Sequence, residues 1–145
     1  MPGLLPELAK LVSFRPLEPG DVPFVMDSWL KSYRTSPWAG VVPNNRYFEV
    51  YGEAITGLLA RGAKVHIACA GHDRTKILGW LCSEDVHGGQ VIHYVYVKDP
   101  YRRKGLGHSL MELYAPNARF YTFRTRPGQY LTEGLSFAPE IGRRE

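Results

Sequence analysis

The sequence has few cysteines and no metal-binding pattern. Its 145 residues contain two cysteines, Cys69 and Cys82, and neither belongs to a C-x-x-C or Cys/His spacing. This excludes the usual zinc motifs, and we expect no metal. Both cysteines lie in apolar, strand-like stretches, so we expect reduced, buried thiols in a cytoplasmic protein.

Long apolar runs are also missing. No stretch approaches the roughly 18 residues that span a membrane. The N-terminal segment 1–14 has no basic leader, and Pro6 and Glu7 interrupt its apolar residues, so we expect neither a signal peptide nor a membrane association. The net charge of +4 is a mild excess. It favours an anionic partner, either a phosphorylated cofactor or nucleic acid.

The length suits a single domain over residues 1–145. Apolar residues recur at helical spacing in two early segments, and alternation then indicates a run of strands separated by short turns. The predicted helices cover 19–34, 46–62 and 99–114, and the predicted strands cover 12–18, 64–70, 77–84, 91–98 and 118–125.

This order, β-α-α-β-β-β-α-β, predicts an α/β (α+β) fold with a mixed, mostly antiparallel central sheet and helices on both faces. The three consecutive strands form an antiparallel meander. The strand at 118–125 is reached across a helix and should run parallel to the strand at 91–98. The C-terminal end is short: residues 128–141 allow one or two helical turns and a final edge strand. The protein is therefore either a monomer or a homodimer in which a partner chain completes the sheet.

The segment DPYRRKGLGHSLMELY, residues 99–114, places three basic residues and two glycines between a strand and a helix. A helix N-terminus has free N–H groups and a partial positive charge, and glycines let phosphate oxygens approach them. The spacing fits neither a Walker A loop, because no Lys-Ser/Thr pair follows, nor a Rossmann G-x-G-x-x-G fingerprint, because a third glycine is missing. An ordinary basic turn is the alternative.

Arg102-x-x-Gly105-x-Gly107, after a strand rich in Val and Tyr, resembles the acyl-CoA signature [RQ]-x-x-G-x-[GA] of the GNAT family of N-acetyltransferases. The predicted order of elements over roughly residues 12–137 is also similar to that family, and SWLKSYR at 28–34 is typical of its compact prokaryotic or phage-like members. The short C-terminal end departs from the family's longer last helix and strand pair.

The resemblance implies acetyl-CoA as co-substrate. Backbone amides from about Arg103 to Gly107, with His108, would hold its pyrophosphate, and the strand at 91–98 would pair with the pantetheine arm. Ser109 is either a phosphate contact or a solvated helix residue. The implied coenzyme-binding residues are Val95, Tyr96, Val97, Arg102, Arg103, Lys104, Gly105, Leu106, Gly107, His108 and Ser109.

Three residues are candidates for proton transfer. Tyr130 stands four residues before Gly134, like the family's Y-x-x-x-G-F tyrosine, and would donate a proton to the leaving thiolate. Phe137 comes two residues later than that family's aromatic residue, and Tyr130 is otherwise a core or edge aromatic. The general base is Glu84 or His93, or no dedicated base exists. By alternation His93 shares a face with Val91, Val95 and Val97, which also fits a packed core histidine.

The acceptor region of the family lies at the first helices, where Trp29 and Tyr33 line either the substrate pocket or the core. The resemblance implies acetyl transfer from acetyl-CoA to a primary amine of a small molecule or protein, by direct attack in a ternary complex. The alternatives are a non-catalytic acyl-CoA-binding domain and a nucleic-acid-binding module. The latter would use the basic loop and the C-terminal arginines, Arg119, Arg124, Arg126, Arg143 and Arg144. A nucleic-acid acceptor also stays open.

Overall fold

The computed structural model describes residues 5–40, 42–125 and 127–142. Within these residues, six strands form one sheet in the order β1 to β6. The first four strands pair antiparallel, whereas β4–β5 and β5–β6 pair parallel. The strands are β1 (Val12–Pro16), β2 (Lys64–Ala70), β3 (Asp73–Val86), β4 (Gly89–Val97), β5 (Ala118–Tyr121) and β6 (Ser136–Phe137).

Helices cover both faces of the sheet, which confirms the predicted fold class. On one face, Trp29 and Ile55 pack against Trp80 of β3 in one buried cluster. On the other face, Leu110 packs with Leu81 in a second cluster. The helices are α1 (Pro6–Ala9), α2 (Val22–Arg34), α3 (Asn44–Ala60), α4 (Leu106–Tyr114) and α5 (Pro139–Gly142), of which α2 and α3 lie on the first face and α1 and α4 on the second.

The entry into α2 is fixed by a buried ion pair. A single 3-10 turn, Pro19–Asp21, precedes the helix. Asp21 accepts two hydrogen bonds from Arg15 of β1, at 2.7 and 3.0 Å. The Asp21 side chain does not cap α2, because this guanidinium and the backbone N–H of Glu18 occupy it. The pair ties β1 to the start of the first long helix.

A bulge interrupts β4 at His93. The register pairs Ile92 with Ser83 and Tyr94 with Cys82, so it skips His93. An extra residue in one strand reverses the alternation of faces beyond it. Val91 opposes Glu84 and Val95 opposes Leu81, so these two valines lie on opposite faces. The expectation that His93 shares a face with Val91, Val95 and Val97 is therefore wrong.

The sheet opens between β4 and β5. Their last paired residues are Ile92 and Tyr121, and β5 ends there rather than continuing to residue 125. The second half of β4, residues 94–97, pairs with β3 alone among the described strands. After a 3-10 turn, Pro127–Tyr130, the chain returns to pair β6 with β5. Across the described ranges, no helix is both long and apolar enough to cross a membrane.

Candidate active site

The opening between β4 and β5 exposes one edge of β4. Lys98 N–H donates to Leu78 O at 2.9 Å. Because backbone groups alternate in direction along an antiparallel pair, those of Val95 and Val97 then point away from β3 and into the opening. Arg102 Nε donates to the Val97 carbonyl at 2.8 Å. The backbone of Val95 therefore faces the opening, where β5 would otherwise pair with it.

The opening leads to a tight turn at the N-terminus of α4. Arg103 has φ of +63° and Gly105 has φ of +85°. This left-handed conformation is easy for glycine and strained for arginine. Gly105 stands at the N-cap of the nine-residue helix, and Ser109 N–H is the first to bond back to it, at 3.0 Å. The preceding amides, 105–108, are the free donors of a helix N-terminus.

One cavity of about 1500 Å³ unites the edge of β4 with this turn. Of the residues expected to bind the coenzyme, all but Lys104 and Ser109 line it. It is lined by Ser32, Thr35, Ser36, Trp38, Tyr94, Val95, Tyr96, Val97, Asp99, Tyr101, Arg102, Arg103, Gly105, Leu106, Gly107, His108, Thr125, Gly128, Gln129, Tyr130 and Leu131.

The charge at the turn end of the cavity suits an anion. Arg102, Arg103 and His108 lie there, and Asp99 contributes the one carboxylate among the described lining residues. The Asp99 carboxylate is 3.4 Å from Arg102 Nη1, which offsets part of its charge. The helix dipole, the free amide N–H groups and the guanidinium groups therefore all favour binding of an anion at this end of the cavity.

Hydroxyl-bearing side chains line the other end. Ser32, near the C-terminus of α2, forms a 2.7 Å hydrogen bond with the Tyr94 hydroxyl. Ser36 donates to the Arg124 carbonyl at 2.8 Å, and the Arg124 guanidinium lies 5.5 Å from the Trp38 ring. Burial raises the pKa of Tyr94 to about 12, although the Ser32 hydrogen bond opposes this. Sequence reasoning missed these residues because the Ser32–Tyr94 contact joins elements 62 positions apart.

Tyr130 lies at the rim of the cavity, at the end of the 3-10 turn Pro127–Tyr130. Its side chain is 80% exposed. The next residue, Leu131, packs against α4, since a Cβ placed on Gly107 would be 2.8 Å from Leu131 Cδ1. This contact holds the C-terminal segment against the start of α4, where Tyr130 and Leu131 both line the cavity.

Glu84 and His93 form a hydrogen bond with each other. Neither is among the described residues that line the cavity. His93 is completely buried, with Nε2 2.9 Å from Glu84 Oε1 and Nδ1 2.8 Å from Thr122 Oγ1. Burial lowers the pKa of His93 more than Glu84 raises it. Burial also opposes ionisation of Glu84, but hydrogen bonds from Arg61 and His93 outweigh it and hold the Glu84 pKa below its usual range.

Trp29 and Tyr33, expected near the acceptor, lie in the core rather than along the cavity. Trp29 is completely buried and stacks on Tyr94, with ring centroids 5.1 Å apart. The Tyr33 hydroxyl donates to the Trp38 carbonyl at 3.1 Å. Both rings support cavity-lining residues from beneath, and a direct contact between Trp29 and an acceptor would require this packing to open.

Other sequence predictions depend on residues that the structure leaves undescribed or places elsewhere. Arg126, Arg143 and Arg144 of the proposed basic tail lie outside the described residues. The Arg124 guanidinium packs 4.1 Å from the Phe137 ring centroid. Among the described side chains, no group of three or more His, Cys, Asp or Glu residues could hold a metal ion.

Comparison with known proteins identifies the family. Residues 25–123 match the family model described as the acetyltransferase (GNAT) family. A protein from Pyrococcus furiosus proposed to be an acetyl transferase has a TM-score of 0.59 at 20% identity, over 84% of this chain and 89% of that one. A GNAT family acetyltransferase from Brucella melitensis, solved with acetyl-CoA, has a TM-score of 0.53 at 18% identity, over 70% and 64%.

A third solved structure is the PaiA N-acetyltransferase from Thermoplasma acidophilum in complex with coenzyme A. It has a TM-score of 0.50 at 15% identity, over 70% of this chain and 68% of that one. No curated protein matches the sequence. At these identities the structures establish a shared fold, while the family model covers more than half of the chain. The chain therefore belongs to the GNAT family of acetyltransferases.

Proposed function

We propose that the protein is an N-acetyltransferase that transfers the acetyl group of acetyl-CoA to a primary amine by direct attack in a ternary complex. The observation that carries the proposal is the continuous cavity between the free edge of β4 and the left-handed turn at α4. Two related folds solved with acetyl-CoA and with coenzyme A support the same choice of co-substrate.

The residues present fit coenzyme A. Free amides at 105–108, with Arg102 and Arg103 beside them, supply donors and positive charge for a pyrophosphate. The Val95 carbonyl offers a hydrogen-bond acceptor to the pantetheine arm, as a neighbouring strand would. The acetyl thioester then lies beside Tyr94, toward the hydroxyl-lined end of the cavity.

The reaction has three requirements. A neutral amine attacks the thioester carbonyl, so an N–C bond forms while the C–S bond breaks. The developing oxyanion needs a donor, and the Val95 N–H is suitably directed. The leaving thiolate takes a proton, which we assign to the Tyr130 hydroxyl at the cavity rim.

We assign Glu84 and His93 a positioning role. Their hydrogen bonds hold the bulge of β4 against Thr122, just past the last β4–β5 pair. The geometry thus supports a scheme without a dedicated base, in which the amine reaches the site already neutral and the product loses its proton to solvent.

Isothermal titration with acetyl-CoA tests the proposal. We expect micromolar binding by the wild type and at least a tenfold loss in Gly105→Glu, which adds negative charge at the anion site. Gly62→Glu is the matched control, because Gly62 also has a left-handed φ, of +106°, but follows α3. ATP and dephospho-CoA serve as ligand controls. A folded protein that binds no acetyl-CoA would overturn the proposal.

Mass spectrometry of an amine panel separates catalysis from binding. Transfer that falls at least tenfold in Tyr130→Phe, with acetyl-CoA affinity unchanged, is the expected result. Tight binding without transfer to any amine would instead identify a non-catalytic acyl-CoA-binding domain.

A further inference from the structure

The amine end of the cavity has a distinctive chemistry. Seven hydroxyl-bearing side chains line the cavity beyond the turn that holds the basic residues: Ser32, Thr35, Ser36, Tyr94, Tyr96, Thr125 and Tyr130. Among the described lining residues the one carboxylate is Asp99, which lies at the opposite end, beside Arg102. The hydroxyl-lined end therefore offers neutral hydrogen-bonding groups and no counter-ion for a second ammonium group.

The direction of the hydrogen bond between Ser32 and Tyr94 follows from counting protons. Ser32 Oγ is 2.5 Å from the Ser28 carbonyl oxygen and 2.7 Å from the Tyr94 hydroxyl. A carbonyl only accepts, so the single Ser32 proton goes to Ser28. Tyr94 must then donate its proton to Ser32. Its phenol oxygen retains lone pairs, and the described residues provide no other partner for it.

The position of Tyr94 matches the reacting end of the co-substrate. It is the first residue beyond the His93 bulge and three positions from Val97, about 10 Å along the strand. A pantetheine arm that runs from the turn past Val97 and Val95 therefore brings its thioester next to Tyr94. Ser32, on α2, approaches the same point from the opposite wall.

We propose that the Tyr94 hydroxyl, oriented by Ser32, binds the amine of the acceptor, and that the acceptor is a primary monoamine with an uncharged body. The inference rests on the proposed acetyl transfer. A neutral amine donates one N–H to the phenol oxygen and keeps its lone pair for the thioester carbonyl. A phenol that donated to the amine would instead occupy that lone pair. Polyamines are disfavoured because a second ammonium would be desolvated without a carboxylate.

Steady-state kinetics on Tyr94→Phe test the role of the hydroxyl. The substitution keeps the ring that stacks on Trp29 and removes only the oxygen. We expect the KM for the amine to rise about fivefold to tenfold, which corresponds to one lost hydrogen bond. The acetyl-CoA affinity, measured by titration, should stay within twofold. Tyr114→Phe, on the far side of the sheet, is the control and should change neither value.

The amine panel contains benzylamine and glucosamine, which are monoamines with no other charged group, and spermidine, which is a polycation. At least one monoamine should exceed spermidine tenfold in kcat/KM. Equal or better use of spermidine, or an unchanged amine KM in Tyr94→Phe, would overturn the inference while leaving acetyl transfer intact. Loss of the proposed function has a different signature, because acetyl-CoA would then fail to bind the wild-type protein.

Discussion

The most informative perturbation of the scaffold is Glu84→Ala. The Glu84 carboxylate accepts hydrogen bonds from Arg61 Nε at 3.1 Å, Arg61 Nη2 at 2.8 Å and His93 Nε2 at 2.9 Å. Arg61 also donates to the Ile141 carbonyl at 2.7 Å. This single carboxylate thus links the end of α3, the bulge of β4 and the C-terminal segment.

The expected cost follows from burial. Removing one partner of a fully buried pair costs about 3–5 kcal/mol. The side chains of Glu84 and Arg61 keep 19% and 23% exposure, so solvent reduces the expected loss to about 2–3 kcal/mol. For a domain of this size, this corresponds to a Tm lower by about 4–12 °C.

Thermal unfolding by circular dichroism measures this change. Glu53→Ala is the matched control, because Glu53 is exposed on α3 and its truncation should cost less than about 0.5 kcal/mol. If Glu84→Ala unfolds at the same temperature as Glu53→Ala, the positioning role of this network is refuted.

The same network predicts acid sensitivity. One tautomer satisfies His93: Nε2–H donates to Glu84 and Nδ1 accepts from Thr122. The pKa of His93 lies below its ordinary value of 6.5 because of burial, so below pH 6.5 the unfolded chain binds more protons than the folded one. Stability should therefore fall as pH drops through this range, and less so in His93→Gln. The depressed pKa of Glu84 extends the loss below pH 4.5.

Three further substitutions test packing in the core, at the cavity and at a close backbone approach. Trp29→Ala should lower the free energy of unfolding by about 3–5 kcal/mol in urea titrations, because the ring is fully buried. Trp38→Ala at the cavity should cost less than about 1 kcal/mol and act on the amine KM instead; equal stability losses would contradict this assignment. Gly89→Ala should lower the free energy of unfolding by about 1–3 kcal/mol, measured by calorimetry, because the added Cβ would lie 2.7 Å from the Asn117 carbonyl oxygen. An unchanged Tm would show that the backbone at Asn117 moves aside without cost.

Local patterns in the sequence predicted much of the fold. Alternation of apolar residues placed β2 at 64–70 with the bounds that the structure has. The glycines of the motif correctly marked a turn before a helix, because left-handed backbone and close approach favour glycine there. The predicted helix over 99–114 nevertheless began seven residues too early, since α4 starts at Leu106. β3 was predicted too short, since residues 73–76 are exposed and join the sheet without any apolar alternation.

The rest depended on contacts between distant residues. The bulge at His93 leaves no mark in the alternation of apolar residues, yet it decides which face each later β4 side chain occupies. Apolar residues at helical spacing likewise do not show whether a tryptophan lies in the core or in a pocket, and Trp29 lies in the core. Ser32 and Tyr94 gain their significance only when α2 packs against β4.

Amide chemical-shift changes in ¹⁵N-labelled protein titrated with acetyl-CoA would show directly where the co-substrate binds. We expect the largest changes on the edge of β4 and at the start of α4, at Val95, Val97, Gly105 and Gly107. Amides of β1 and of the middle of α3 should stay unchanged. Changes concentrated away from the cavity, or none at saturating acetyl-CoA, would contradict the proposed co-substrate site.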